Sequence, residues 1–192
     1  MGAVTSQIPN PKSQRTWFVL LGFWGSVFGI FLEAQGISRE EALAQVYPGA
    51  DVRAEQIFLT PAQMAAVTSR AGAQPSSALV ARYVAARGGQ AVGRAYVDTH
   101  IVRTKRESLL ISLDADRRVI RVDVTAFLEP GEFRAPVSWL GQYRGRALDH
   151  DLAINRAIRP IAGASLTARA ANAAVRRVLA IDELLVPAGG AP

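Results

Sequence analysis

The stretch Ser108–Phe127, SLLISLDADRRVIRVDVTAF, decides how this chain is read. Two apolar runs, SLLISLD and RVIRVDVTAF, flank the short polar segment ADR, as two strands joined by a tight turn would. In the second run Ile120, Val122, Val124 and Ala126 alternate with Arg121, Asp123 and Thr125. That period of two predicts one apolar and one polar face. Moving outward, ALVARYVAAR and QAVGRAYVDTHIV flank Gly88-Gly89 and predict a second hairpin. At least four antiparallel strands follow.

Helix signals surround them. In ISREEALAQVYPG, Ser38 stands as an N-cap, Glu40 and Glu41 fill the first turn, and Pro48-Gly49 stops the run. In LTPAQMAAVTSRAG, Thr60 caps, Pro61 takes the first helical position and Gly72 ends the helix. After the strands come a Pro-rich loop, LEPGEFRAP, and VSWLGQYRGRALD, which reads as a short helix ending near Gly145. From Ser165 to Leu185, apolar residues recur at Ala171, Ala174, Val175, Val178, Ile181 and Leu185, a helical stripe suited to packing on the sheet, with Arg169 and Arg176 opposite. The expected fold class is α+β, an antiparallel sheet with packed helices. There is no internal repeat, no Walker loop and no G-x-G-x-x-G.

The chain has 192 residues, 49% of them hydrophobic, enough for one sizeable core. Its formal charge is +6, yet Lys12 and Lys105 are the only lysines and the arginines are scattered from end to end. Without a basic run or interleaved aromatics, nucleic-acid binding is not expected. The absence of cysteine excludes disulfides, thiol catalysis and cysteine-based metal centres. Two histidines, His100 and His150, leave little for a metal site.

At the N-terminus Lys12 and Arg15 precede the uncharged run WFVLLGFWGSVFGIFL, Trp17 to Leu32. As a helix it spans about 24 Å, against a hydrocarbon core of roughly 30 Å, which makes it a short transmembrane anchor or a signal-peptide core. The following EAQG lacks a clean A-x-A cleavage site, so an uncleaved anchor is favoured over a signal peptide. Either way the basic flank stays in the cytoplasm and the bulk of the chain is extracytoplasmic. The expected organisation is an anchor or signal segment over 1–35, a folded domain over 36–186 and a short tail over 187–192.

One further stretch needs a reason. Residues Arg159–Ala170, RPIAGASLTARA, put small residues and the hydroxyls of Ser165 and Thr167 directly before the long helix. Ser165 either caps that helix in the ordinary way or stands in a site where unpaired N–H groups receive a phosphate.

Several segments together resemble one family, the FMN-binding domain of the extracytoplasmic flavin subunits of sodium-pumping and Rnf-type electron-transport complexes. RPIAGAS is similar to that family's D-x-x-S/T-G-A-T/S motif, with Gly163, Ala164 and Ser165 matching. FLEPGEF, from Phe127, resembles a shortened E-T-P-G loop, and SWLGQYRGRAL resembles the W-x-x-Q-F-x-G-K segment that comes next. THIVRTKRESLL, from Thr99, is similar to standalone FMN-binding proteins of this kind, and the likeness covers roughly Ala78 to Ala180. Arg159 stands at the acidic position, Ala162 at the first hydroxyl, and Ser165 where Thr is usual.

The resemblance implies FMN as cofactor, non-covalently held, with a covalent link through Ser165 as the alternative. Gly163, Ala164, Ser165, Leu166 and Thr167 would hold the phosphate. His100 and Arg103 would meet the ring, or pair structurally with Asp98 or Glu107. Glu129 and Pro130 would form a loop over the ring, or only a turn. Trp139 and Tyr143 are core residues or a stacking platform. The implied function is that of a membrane-anchored electron carrier working with a redox protein partner or membrane complex, not a stand-alone turnover enzyme. The alternative is a flavin-free scaffold or docking subunit of the same fold. A Ser-His-Asp hydrolase built from Ser165, His100 and Asp98 has no G-x-S-x-G elbow to support it.

Overall fold

The computed structural model describes residues 37–186 together with Met1 and Gly2. The expectations for Trp17–Leu32 and for the tail at 187–192 fall outside the described residues. Every element below belongs to the unit Ala34–Pro192. Among the described residues no helix is long and apolar enough to cross a membrane.

The fold is α+β. Five strands form one antiparallel sheet in chain order: β1 (Asp51–Phe58), β2 (Leu79–Arg87), β3 (Gln90–Ile101), β4 (Arg106–Asp114) and β5 (Val119–Phe127). The Gly88-Gly89 hairpin forms as expected, both glycines having positive φ (59° and 81°), as a two-residue type I′ turn requires. β1 escaped the sequence reading. Its segment, DVRAEQIF, carries charges on alternate residues and is mostly exposed along its length, because it is the sheet edge and pairs only with β2.

Helix α1 (Arg39–Val46) starts at Ser38, whose side chain accepts from the Glu41 amide. Helix α2 (Pro61–Ala71) has the expected Thr60 cap, with Gln63 completing a capping box, and ends at Gly72 in the left-handed region. The expected helix after the Pro-rich loop is split: α3 (Val137–Leu140) passes into a 3-10 turn over Gly141–Tyr143. Another 3-10 turn spans Gly131–Phe133, and the last helix, α4, runs from Ser165 to Leu185.

The sheet has a core on each face. On one side α4 and α2 pack with Leu109, Ile111, Leu113 and Tyr96. On the other α1 packs through Ala42, Leu43 and Tyr47 onto Ala85, Ala95 and Leu110. Each fully buried leucine or isoleucine here contributes about 1.5–3 kcal/mol relative to exposure. The Tyr47 hydroxyl lies 2.8 Å from the carbonyl oxygens of both Arg94 and Leu113, so its ring crosses over Gly93.

The alternation expected for β5 is corrected. Ser108 pairs with Ala126 but Leu109 with Val124, and Ser112 pairs with Arg121 but Leu113 with Val119. Each shift adds one residue to β5 and reverses the side on which the following residues point. Val119, Val122, Val124 and Phe127 therefore all reach the α4-side core, whereas Ile120 packs on the α1 side.

Candidate functional site

The α4 start is not capped by Ser165. Ala164 is the N-cap, no side chain caps the helix, and Ser165 is the first helical residue. The amides of Ser165, Leu166 and Thr167 therefore have no carbonyl within the helix to meet. The chain turns into this position at Gly163, with φ 76°. Ser165 and Leu166 are exposed. Thr167 is buried and its hydroxyl donates to the Phe133 carbonyl at 2.7 Å.

That bond ties the helix start to the 3-10 turn, and two further clamps converge on the same end. Trp139 Nε1 donates to the Arg159 carbonyl at 2.7 Å, while the Arg159 amide donates to Gln142 Oε1 at 3.0 Å. Trp139 and Tyr143, four residues apart, meet edge to face at 5.7 Å within the core. Glu129 Oε1 accepts the amides of Arg103 (3.2 Å), Thr104 (2.7 Å) and Lys105 (2.8 Å). Bonds from the Thr104 and Lys105 amides hold the Glu129 carboxyl below the usual carboxylate range. Arg103 lies 4.7 Å over the Phe133 ring. Pro130 is exposed beside this turn.

The three segments singled out in the sequence are thus joined. Glu129 fastens the β3–β4 turn, Trp139 and Gln142 hold the approach to α4 at Arg159, and Phe133 receives both Thr167 and Arg103. Phe133 was not among the expected site residues, and its only signal was its place beside the Glu129-Pro130 turn.

His100 belongs to a different arrangement. Arg94, Tyr96, Asp98 and His100, at every second position of β3, are all buried, Arg94, Tyr96 and Asp98 bonding to α4. Arg94 Nε meets Asp182 at 2.6 Å, and Tyr96 donates to the same carboxylate at 2.8 Å. Arg177 grips Asp98 with two bonds, of 2.9 and 2.7 Å. His100 Nδ1 lies 2.8 Å from Asp98 and Nε2 lies 3.0 Å from Glu107, so both ring nitrogens are engaged. Of the two roles weighed for His100, the geometry displays the pairing with carboxylates. Glu107 is fully buried and, among the described residues, its Oε1 has no partner.

Burial disfavours charge on His100, but the bonds to Asp98 and Glu107 outweigh it and hold the pKa above the ordinary histidine value. Burial likewise opposes ionisation of Asp98, and the bonds from His100 and Arg177 overcome it, leaving the carboxyl below the usual range. The pairings 94 with 182 and 98 with 177 make α4 antiparallel to β3. The β3–β4 turn consequently lies toward the α4 start. Buried Arg177 and Asp182 were missed because the apolar stripe of α4 masked them. The signal available was the run of four polar residues at period two in β3.

Comparison with family models, with characterised proteins and with solved structures returns no match.

Proposed function

We propose that this chain is a membrane-anchored, extracytoplasmic FMN-binding protein that relays electrons to a redox partner. The observation that supports it is the convergence at the α4 start. An uncapped helix of 21 residues opens with an exposed serine after a left-handed glycine, beside a clamped turn that carries Arg103 and Phe133. The donor chemistry fits a phosphate: unpaired amides, the Ser165 hydroxyl and the positive end of the helix dipole. Arg159, exposed four residues before Gly163, adds charge where the resembling family carries an acid.

FMN supplies the electron chemistry, and the protein sets its position and solvent access. In this reading Ser165 and the amides of residues 165–167 donate to phosphate oxygens. Arg103 and Phe133 would meet the ring, and Glu129 would act by keeping the 103–105 turn closed. Thr167 serves as a strut, since its hydroxyl is already bound to Phe133.

Absorbance of the purified full chain in the flavin bands, before and after denaturation, tests this reading. Non-covalent FMN is released on denaturation, whereas FMN esterified to Ser165 stays on the chain. Ser165→Ala removes a covalent link outright but only one hydrogen bond of about 1.5–3 kcal/mol from a non-covalent site, roughly a ten- to hundredfold loss of affinity. A native preparation without flavin and without affinity for added FMN refutes it. The flavin-free docking subunit would then stand, a reading that Arg159 and Ala162 favour by departing from the motif. For the anchor, mass spectrometry of the native protein decides: an intact Trp17–Leu32 segment supports it, and a mature N-terminus near Gln35 overturns it.

A further inference from the structure

The α1 face of the sheet is covered only in part. Beyond α1 it stays open toward the β3–β4 turn, forming a groove of about 640 Å³ along Thr99, Ser108, Thr125 and Leu128 and bounded by Ile37. A second groove, of about 560 Å³, runs from Ile37 past Arg134 to Val137. Around these grooves stand three of the most exposed apolar side chains of the domain: Ile101 at 56%, Leu128 at 58% and Val137 at 85%. Ile101 is the register partner of Arg106, and the Leu128 amide bonds to the Arg106 carbonyl at 3.0 Å, so the three residues form one rung at the sheet end.

The charged side chains of the β3–β4 turn and its exit are cations. Arg103, Lys105 and Arg106 are exposed, and among the described residues none of them forms an ion pair. The Glu129 carboxylate, which reaches this turn from the end of β5, is occupied by three amides. Glu40 lines the first groove with Arg39 beside it, and Asp123 lines the second, paired there with Arg121 at 2.8 Å. Exposed aliphatic side chains interspersed with unpaired cations match the interface of an anionic bilayer, where apolar side chains enter the head-group boundary and each cation adds attraction.

We propose that the face around Ile37, with Ile101, Leu128 and Val137 as its apolar contacts and Lys105 and Arg106 as its cations, rests on an anionic lipid surface. The proposal takes its geometry from the anchor reading above. From Leu32, where the apolar run ends in the sequence, five residues reach Ile37, a length of at most about 18 Å, so on the anchor reading Ile37 stays within that reach of the bilayer.

The chain contains no cysteine, so single substitutions give unique labelling sites. The full chain is assembled in lipid nanodiscs of phosphatidylcholine, with and without phosphatidylglycerol. Nitroxide labels are placed at Ile101→Cys, Leu128→Cys, Val137→Cys and, as a control on the exposed side of α2, Ser69→Cys. The expected result is that oxygen reaches the first three labels better than a water-soluble nickel chelate does, that the control shows the reverse, and that the difference grows with phosphatidylglycerol. Lys105→Gln and Arg106→Gln each weaken docking roughly fivefold. Labels open to the nickel chelate, or shielded from both reagents by protein, in disc-bound chain overturn docking and leave the anchor standing. Chain recovered without discs refutes the anchor. The same labelled chain mixed with phosphatidylglycerol vesicles then decides docking, binding supporting it and absence of binding overturning it.

Discussion

Asp98→Asn should cost far more than its size suggests. The carboxylate is 8% exposed and takes two bonds from Arg177, itself 6% exposed, and one from His100 at 2.8 Å. The amide has nearly the same shape but no charge, and its NH2 group faces donors. Arg177 would be left as a buried cation without its carboxylate, a loss of about 3–5 kcal/mol. Urea unfolding followed by circular dichroism should show this as a midpoint lower by about 2 M, with little change in slope. Glu55→Gln provides the contrast. It removes a pair with Arg82 whose side chains are 23% and 18% exposed, and solvent screening limits the cost to about 1 kcal/mol or less. If Asp98→Asn loses no more than Glu55→Gln, the β3–α4 seam does not hold the domain together and the reasoning fails.

The same seam sets a pH dependence. The His100 pKa is raised on folding, so its contribution is complete below the unfolded value of about 6.5 and disappears as pH rises through the folded value. Stability that stays level or climbs across that alkaline window, measured by thermal unfolding, would contradict this, and Asp98→Asn should flatten the loss. Gly93→Ala should destabilise by about 1–3 kcal/mol, because a Cβ there would sit 2.4 Å from Tyr47 Cε1 and 2.5 Å from the Leu113 carbonyl. An unchanged melting temperature would show that Tyr47 can move aside. Glu129→Ala should speed hydrogen exchange at the Arg103, Thr104 and Lys105 amides while leaving the β3 and β4 amides protected. Flavin retention, if FMN binds, should fall with it, and unchanged exchange would reduce Glu129 to a turn residue.

What the sequence determined by itself was local. Ser38 and Thr60 cap their helices, Gly72 ends α2 and Gly88-Gly89 turns the β2–β3 hairpin, because each of these depends on residues within a few positions of one another. The span of α4 and its apolar stripe were legible for the same reason, and so was the α+β class. Tertiary structure alone decided the rest. DVRAEQIF is a strand only because β2 offers it an edge, and β5 puts Phe127 on the same side as Val122 and Val124 only because the bulge between Val124 and Ala126 shifts its pairing with β4. Local spacing likewise leaves Ser165 an equally good N-cap, until packing ties Thr167 to Phe133 and the cap falls on Ala164. Glu129 meets three amides 24 to 26 residues away, and Arg177 meets Asp98 across 79 residues. Such partners are chosen by the closure of the sheet and the direction of α4 across it, and a side chain's type states what it can bond to but not which distant group the fold will bring within reach.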